Sequence, residues 1–348
     1  MAAEREVEGV DVAAGTEWFA TNVPGAAPPL TFELIAGGRS NLTFLVADAA
    51  GQRFVLRRPP LGHVLATAHD MSREHRIISA LGPTAVPVPP ALGFCDDLAV
   101  NGAPFYVMAY VDGLVLRGAA EAEALTPDAR RRAGEGLVDT LAAIHAVAPD
   151  DVSLGDLGRR EGYIARQLKR WYSQFEQSKQ RDVPDVDEVH ARLNAALPEQ
   201  GPAALVHGDF RLDNCIVGSD GEVRAVLDWE LCTLGDPLAD VGLLLVYWAE
   251  PGGESALPGA ATILDGFPRR ADLLARYAQR TGRDLSGIDY YVAFGYWKLA
   301  CILEGVYARY AHGAMGAGAT GHELFAQQVE MLAAAALDAT DRMAASAP

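Results

Sequence analysis

Residues 30–60, LTFELIAGGRSNLTFLVADAAGQRFVLRRPP, carry three runs rich in Thr, Phe, Leu and Val, broken by Gly37-Gly38 and by DAAG. Runs of this composition between glycine turns predict strands, and turns this short predict an antiparallel meander. In TAHDMSREHRIISAL (67–81), Met71, Ile77, Ile78 and Leu81 fall at helical spacing, which predicts an amphipathic helix. Glu74 lies beside that apolar stripe. GPTAVPVPP (82–90) stops the helix, and ALGFCDD and PFYVMAYV read as two more strands around the turn NGAP. The first third therefore predicts five strands and one helix.

Beyond DGLVLRG (112–118), read as a linker, helical patterns take over. TPDARRRAGEGLVDTLAAIHAV opens with Thr126 as N-cap and Pro127 at the first helical position. GYIARQLKRWYSQFEQ sets Leu168, Trp171, Tyr172 and Phe175 on one face, and RADLLARYAQRTG, DYYVAFGYWKLACILEGVYARY and HELFAQQVEMLAAAALDATDRM are further helices. Strand character returns only in AALVHGD, NCIVG and EVRAVLDWE, between 203 and 230. The expected class is α+β: a small antiparallel β-rich lobe over 1–111 with one helix, and a larger, mainly helical lobe over 112–348 with an embedded hairpin.

With 348 residues, half of them hydrophobic, the chain can bury a large core. A net charge of -17 argues against nucleic acid or an anionic membrane as the main partner, because both reward clustered Lys and Arg. Cys95, Cys215, Cys232 and Cys301 lie far apart without metal-ligand spacing, as expected of reduced, buried thiols in a cytoplasmic protein. The start MAAEREVEGVDVAAG has no signal-peptide pattern, and the longest apolar run, VGLLLVYWA, is too short to span a membrane. GAGATG (316–321) satisfies G-x-G-x-x-G but follows a helix rather than a strand, so the dinucleotide reading fails. The P-loop pattern is absent.

CIVGSDGEVRAVLD is two apolar runs closed by the turn GSDG. Folding about Ser219 and Asp220 is expected to set Asn214 near Asp228. An Asn and an Asp, completed by phosphate and water, make a plausible hard-cation site for Mg²⁺. Asp209, on the approach loop, could orient a hydroxyl. Taken alone, the same residues also suit polar turns and caps.

His207-Gly208-Asp209 with Asn214, followed by Leu227-Asp228-Trp229, resembles the H-G-D-x4-N … (I/L)-D-(W/F) signature of the aminoglycoside phosphotransferase and choline kinase superfamily, relatives of protein kinases. The resemblance runs from about residue 30 to 340. HGDFRLDN, with FVLRRPP and GDPLADVG, is similar to the subgroup of kinase-like domains linked to acyl-CoA dehydrogenases; with no dehydrogenase following, the expected form is free-standing. The resemblance implies a protein-kinase-like bilobal fold, Mg²⁺, and ATP or GTP as co-substrate. It makes Asp209 the catalytic base, Asn214 and Asp228 the metal ligands and His207 a brace of the catalytic loop.

The rest of such a site has candidates. Gly37, Gly38, Ser40 and Asn41 would cover the phosphates, although the stretch also reads as a simple hairpin turn. Arg57 stands where most kinases have Lys, as in the dehydrogenase-linked subgroup; Glu74, costly near a core unless paired, is its expected partner. Met108 and Tyr110 would line the adenine site. Asp236 reads as the N-cap of the next helix, and the resemblance adds that Asp236 or Asp240 bonds the catalytic loop. Glu230, two beyond Asp228 on an expected strand, is a support behind the site's contacting residues, a substrate contact or a solvated acid. Arg211 is expected to meet the transferring phosphoryl group or to pair with an acid of the fold. Asp213 has no assigned chemistry.

The expected activity is a small-molecule kinase with a hydroxyl acceptor. Trp171, Tyr172, Tyr291, Trp297, Lys298, Glu304 and Arg309 are available for that acceptor or for the core. The aromatics favour greasy walls over a carboxylate ring, and Lys298 and Arg309 suit an anionic moiety. Together with the resembled subgroup's association with acyl-CoA metabolism, this favours a hydroxyacyl compound or a similar small-molecule alcohol. An antibiotic phosphotransferase, macrolide or aminoglycoside, and a nucleotide-binding pseudokinase remain alternatives. Neither a nucleic-acid nor a membrane partner is expected, and a homodimer stays open.

Overall fold

The computed structural model describes residues 7–36, 41–61, 70–253, 259–311 and 322–345. Gly37, Gly38 and Ser40, and the segment GAGATG, lie outside the described residues. The chain divides into two compact units, Met1–Gly113 with Arg224–Glu230, and Leu114–Val223 with Leu231–Pro348. Residues 224–230, assigned from sequence to the second lobe, thus cluster with the first unit.

The first unit holds α1 (Val12–Asn22), β1 (Thr31–Ala36), β2 (Leu42–Ala47), β3 (Arg53–Arg58), α2 (Met71–Leu81), β4 (Ala91–Cys95), α3 (Leu98–Asn101) and β5 (Phe105–Ala109). The strands form one antiparallel sheet in the order β1-β2-β3-β5-β4. Side chains alternate between its faces. Phe44, Val46, Phe54, Leu56, Phe105 and Val107 pack with Phe19 of α1 into one core. Arg57 pairs in register with Tyr106, and Val55 with Met108, so these four belong to the other face.

All five expected strands are present, and Asp70 caps α2 by accepting from the Arg73 amide at 3.1 Å. Two helices of this unit were not foreseen. In α1 the glycine and threonine in VAAGTEWFATN blur the apolar period. α3 is a single turn where only the NGAP turn was read, and Gly102, in the left-handed conformation, ends it.

The second unit comprises α4 (Ala119–Ala122), α5 (Pro127–Ala146), α6 (Tyr163–Ser178), α7 (Pro184–Ala195), β6 (Ala204–Val206), β7 (Cys215–Val217), β9 (Thr233–Gly235), α8 (Leu238–Tyr247), α9 (Arg270–Thr281), α10 (Ile288–Ala311) and α11 (His322–Ala345). β8 (Val223–Val226) begins at the end of this unit's first segment, and β9 pairs with β6. Thr126 caps α5 as expected, its hydroxyl accepting from the Ala129 amide. Leu168, Trp171 and Phe175 are buried along α6, and Trp297 and Cys301 are among the buried residues of α10. Tight packing rather than propensity sets some positions: a Cβ on Gly242 of α8 would lie 2.4 Å from the Tyr291 carbonyl oxygen of α10.

Three details depart from the sequence expectation. α4, α7 and β9 were not foreseen. Trp229–Leu231 is a 3-10 turn, so Glu230 does not continue the strand that leads to Asp228. α8 opens after Pro237 rather than after Asp236, although Asp236 Oδ1 still accepts the Leu238 amide at 3.1 Å. Among the described residues no helix is long and apolar enough to cross a membrane, and all four cysteines are free and buried.

Candidate active site

In the first unit the functional candidates gather on the Arg57 face of the sheet. Arg57 Nε stands 3.2 Å from Glu74 Oε2, and its Nη2 donates to Asp228 Oδ1 at 2.6 Å. Glu74 is buried on α2 and accepts from Asn41 Nδ2 at 2.9 Å and from the Tyr106 hydroxyl at 3.0 Å. Burial pushes the Glu74 carboxyl up against the pull of Arg57. Burial also works against the Arg57 cation, but the two carboxylates outweigh it and hold its pKa above the ordinary arginine value. The pairing expected of Arg57 and Glu74 is present, and Asp228 joins it.

Asp228 has a φ of +63°. A non-glycine residue in the left-handed region carries strain that a functional turn can justify. Glu230, half-buried, sets its Oε2 3.5 Å from Nδ2 of the buried Asn41. Met108 is buried in β5, and Tyr110 lies under the Arg53 guanidinium, 4.2 Å from the ring centre.

In the second unit the loop after β6 carries His207, Asp209, Arg211 and Asn214. Gly208 takes a φ of +85°, and a Cβ there would lie 2.9 Å from the Leu231 carbonyl oxygen, so only glycine fits. Asp240, fully buried on α8, accepts from the backbone amides of His207 at 2.7 Å and Gly208 at 2.9 Å. Burial alone would raise the Asp240 carboxyl, but His145, His207 and the loop amide outweigh it and hold it below the usual carboxylate value. His145 lies 3.3 Å from Asp240 and 2.7 Å from the Tyr277 hydroxyl. Of the two acids weighed for bonding the loop, Asp240 does so; Asp236 instead accepts from the Tyr291 hydroxyl at 2.7 Å.

Downstream the loop folds onto itself. His207 Nδ1 accepts from the Asp209 amide at 3.3 Å, bracing the turn. Asn214 Nδ2 donates to the Asp209 carbonyl at 2.8 Å and to Asp209 Oδ2 at 3.0 Å. With its N–H groups committed to Asp209, the Asn214 amide offers its oxygen as a ligand. Asn214 belongs to the second unit and Asp228 to the first.

Arg211 Nε lies 3.4 Å from Asp209 Oδ2, Nη1 lies 3.1 Å from Asp213 Oδ2, and the guanidinium stacks over Tyr247. The acid-pairing alternative for Arg211 therefore holds in this state. Asp213, which had no assigned chemistry, is Arg211's partner, and burial pushes its carboxyl up.

Arg211, Leu212 and Asp213 also form one side of a cavity of about 300 Å³. Leu244, Tyr247, Trp248, Leu299 and Leu303 make it apolar, and Arg117 adds a second guanidinium. None of the seven residues named from sequence for the acceptor lines it. Trp297 is core, Tyr172 bonds Asp187, and Glu304 is buried beside Arg181. Lys298 is buried, with Nζ donating to the Gly208 carbonyl at 2.8 Å. Leu299 and Leu303, one turn apart on α10, carried the missed signal. On an almost uniformly apolar helix nothing marks which leucines face a void.

Residues 31–283, which contain the H-G-D loop, match the phosphotransferase enzyme family. The chain belongs to that family. It is 35% identical to acyl-CoA dehydrogenase family member 11 of Gallus gallus over 92% of this chain and 42% of that protein, so it spans less than half of that relative's length. The crystal structure of a Ralstonia eutropha protein provisionally described as an aminoglycoside phosphotransferase is 33% identical, with a TM-score of 0.80 covering 95% of this chain and 98% of the other. The aminoglycoside phosphotransferase APH(4)-Ia, in a ternary complex with AMP-PNP and hygromycin B, shares the fold at 15% identity, with a TM-score of 0.57 over 92% and 98% of the two chains. The phosphotransferase family thus accounts for both the resemblance and the protein-kinase-like fold expected from sequence.

Proposed function

We propose that this protein is a small-molecule kinase that transfers the γ-phosphoryl group of ATP, or GTP, to a hydroxyl of a small acceptor, with a hydroxyacyl compound favoured. The observation that carries the reading is the position of Asp209. It sits on a loop fixed by Asp240 and joined through Arg211 to an apolar cavity.

In this reading the Asp209 carboxylate accepts the proton of the acceptor hydroxyl. The hydroxyl oxygen bonds the γ-phosphorus as the bond to the β-phosphate oxygen breaks, and the nucleoside diphosphate leaves. Asn214 and Asp228 are the proposed Mg²⁺ ligands, where the ion would draw charge from the phosphate oxygens. Arg57, steadied by Glu74, binds nucleotide phosphate, Asn41 belongs to the phosphate-covering segment with Gly37, Gly38 and Ser40, and Met108 and Tyr110 face the base. His207 braces the loop. Arg211 exchanges its contact with Asp209 for the acceptor or the transferring group.

The described cavity walls support this acceptor class. They present two guanidinium groups and a single carboxylate, Asp213, already paired with Arg211. A polycationic aminoglycoside would find repulsion there, whereas an apolar chain with an anionic group finds both partners. The buried, free thiols support action in the cytoplasm.

The test is Mg²⁺-dependent ADP release and phosphorylated product from ATP or GTP, screened against hydroxyacyl compounds, macrolides and aminoglycosides, for wild type and Asp209→Ala. The reading expects turnover with a hydroxyacyl acceptor and a loss of about 10²–10⁴-fold on removing the base. Tight nucleotide binding without turnover on any acceptor would favour the pseudokinase, and selective turnover of an antibiotic would replace the acceptor class.

A further inference from the structure

Lys298 is the one lysine among the buried polar residues of the described chain. Its Nζ donates to the Gly208 carbonyl at 2.8 Å and lies 5.7 Å from the Trp171 ring centre. A buried ammonium needs strong compensation, since leaving water costs several kcal/mol. Burial lowers its pKa, Asp209 and Asp240 act against that, and Arg170 adds to it. The compensation available here is concentrated on the catalytic loop.

Around Gly208 the backbone is gripped from two sides. Asp240 of α8 accepts the N–H groups of His207 and Gly208, while Lys298 of α10 donates to the carbonyl of Gly208, the peptide unit that continues into Asp209. The carbonyl of Gly208 and the amide of Asp209 are one planar unit. Lys298 therefore acts directly on the orientation of the Asp209 backbone. The same amide donates to His207 Nδ1, and the same side chain is reached by Asn214, so a rotation of this peptide would disturb the base and the Asn214 amide together.

We propose that Lys298 is a positioning residue for phosphoryl transfer: from α10 it locks the Gly208–Asp209 peptide and thereby aims the Asp209 carboxylate. The proposal rests on the small-molecule kinase reading. It replaces the role expected for Lys298 at the acceptor, because a side chain committed to a buried backbone carbonyl is not lining the cavity.

The test compares the full-length wild type with Lys298→Met and Lys298→Arg by peptide hydrogen exchange over residues 205–214 and by Mg²⁺-dependent ADP release. For Lys298→Met the expected result is faster exchange confined to 205–214, a Tm within a few degrees of wild type, nucleotide KM nearly unchanged and kcat lower by about 100-fold. Lys298→Arg, which keeps a charged donor, should restore part of both losses. Unchanged exchange over 205–214, or loosening spread evenly over the chain, would overturn the assignment, as would a loosened loop with wild-type kcat. Should Lys298→Met fail to fold, Lys298→Gln, which keeps a neutral donor, is judged by the same criteria. If wild type itself transfers no phosphoryl group, the kinase reading fails, while the exchange data still decide whether Lys298 holds the loop.

Discussion

Arg57 Nη2 lies 2.6 Å from Asp228 Oδ1 while its Nε faces Glu74, so one largely buried cation serves two acids, one of them a proposed metal ligand. Removing it leaves a buried carboxylate unpaired. Arg57→Ala is expected to destabilise the protein by about 3–5 kcal/mol, the usual loss on breaking a buried pair from one side. Glu74→Gln in that background should recover part of this, because glutamine still accepts from Tyr106. Denaturant unfolding of the single and double variants checks both expectations.

Gly208 answers to backbone geometry alone. Gly208→Ala forces a Cβ into the left-handed region, at about 1–2 kcal/mol, and against the Leu231 backbone. Stability should fall by at least that amount, and ADP release should fall further than stability explains, since the residue adjoins Asp209, the proposed base. Denaturation midpoints beside kcat separate the two effects.

Asp240 makes stability depend on acid. Its folded pKa is depressed, so its contribution is present above the ordinary carboxylate value of about 4 and is lost as pH falls through the lower, folded value. Unfolding free energy measured from pH 7 down to pH 3 should decline in wild type. Asp240→Asn should start less stable and show a shallower decline. An equal slope in both proteins would place the acid sensitivity elsewhere.

Leu303 projects from α10 into the cavity wall. Leu303→Trp should fill part of the void and raise the acceptor KM by about tenfold, the range of a lost apolar subsite, with nucleotide KM unchanged. Steady-state kinetics with each substrate varied in turn provides the check.

Much of this was legible without coordinates because it depends on local pattern. Alternating apolar runs and short turns gave the five strands; Thr126 marked a helix start; the spacing of Asp209, Asn214 and Asp228 carried the family. Glu74 could be paired with Arg57 because an acid beside an apolar stripe demands a cation. The elements that escaped, α1, α3, α4, α7 and β9, are short or weakly periodic and owe their form to what they pack against.

The amino-acid sequence by itself determined the family and the fold class, and it marked the loop on which the proposed chemistry is placed, since residue type and spacing fix which groups can hold a proton or a cation. Only the tertiary structure decided how α10 is used. Lys298 and Leu299 are neighbours on one apolar helix, yet the first is sealed against the Gly208 carbonyl while the second lines the cavity. Helix periodicity gives the angle between two side chains but not what stands opposite each. That depends on packing between segments far apart in the chain.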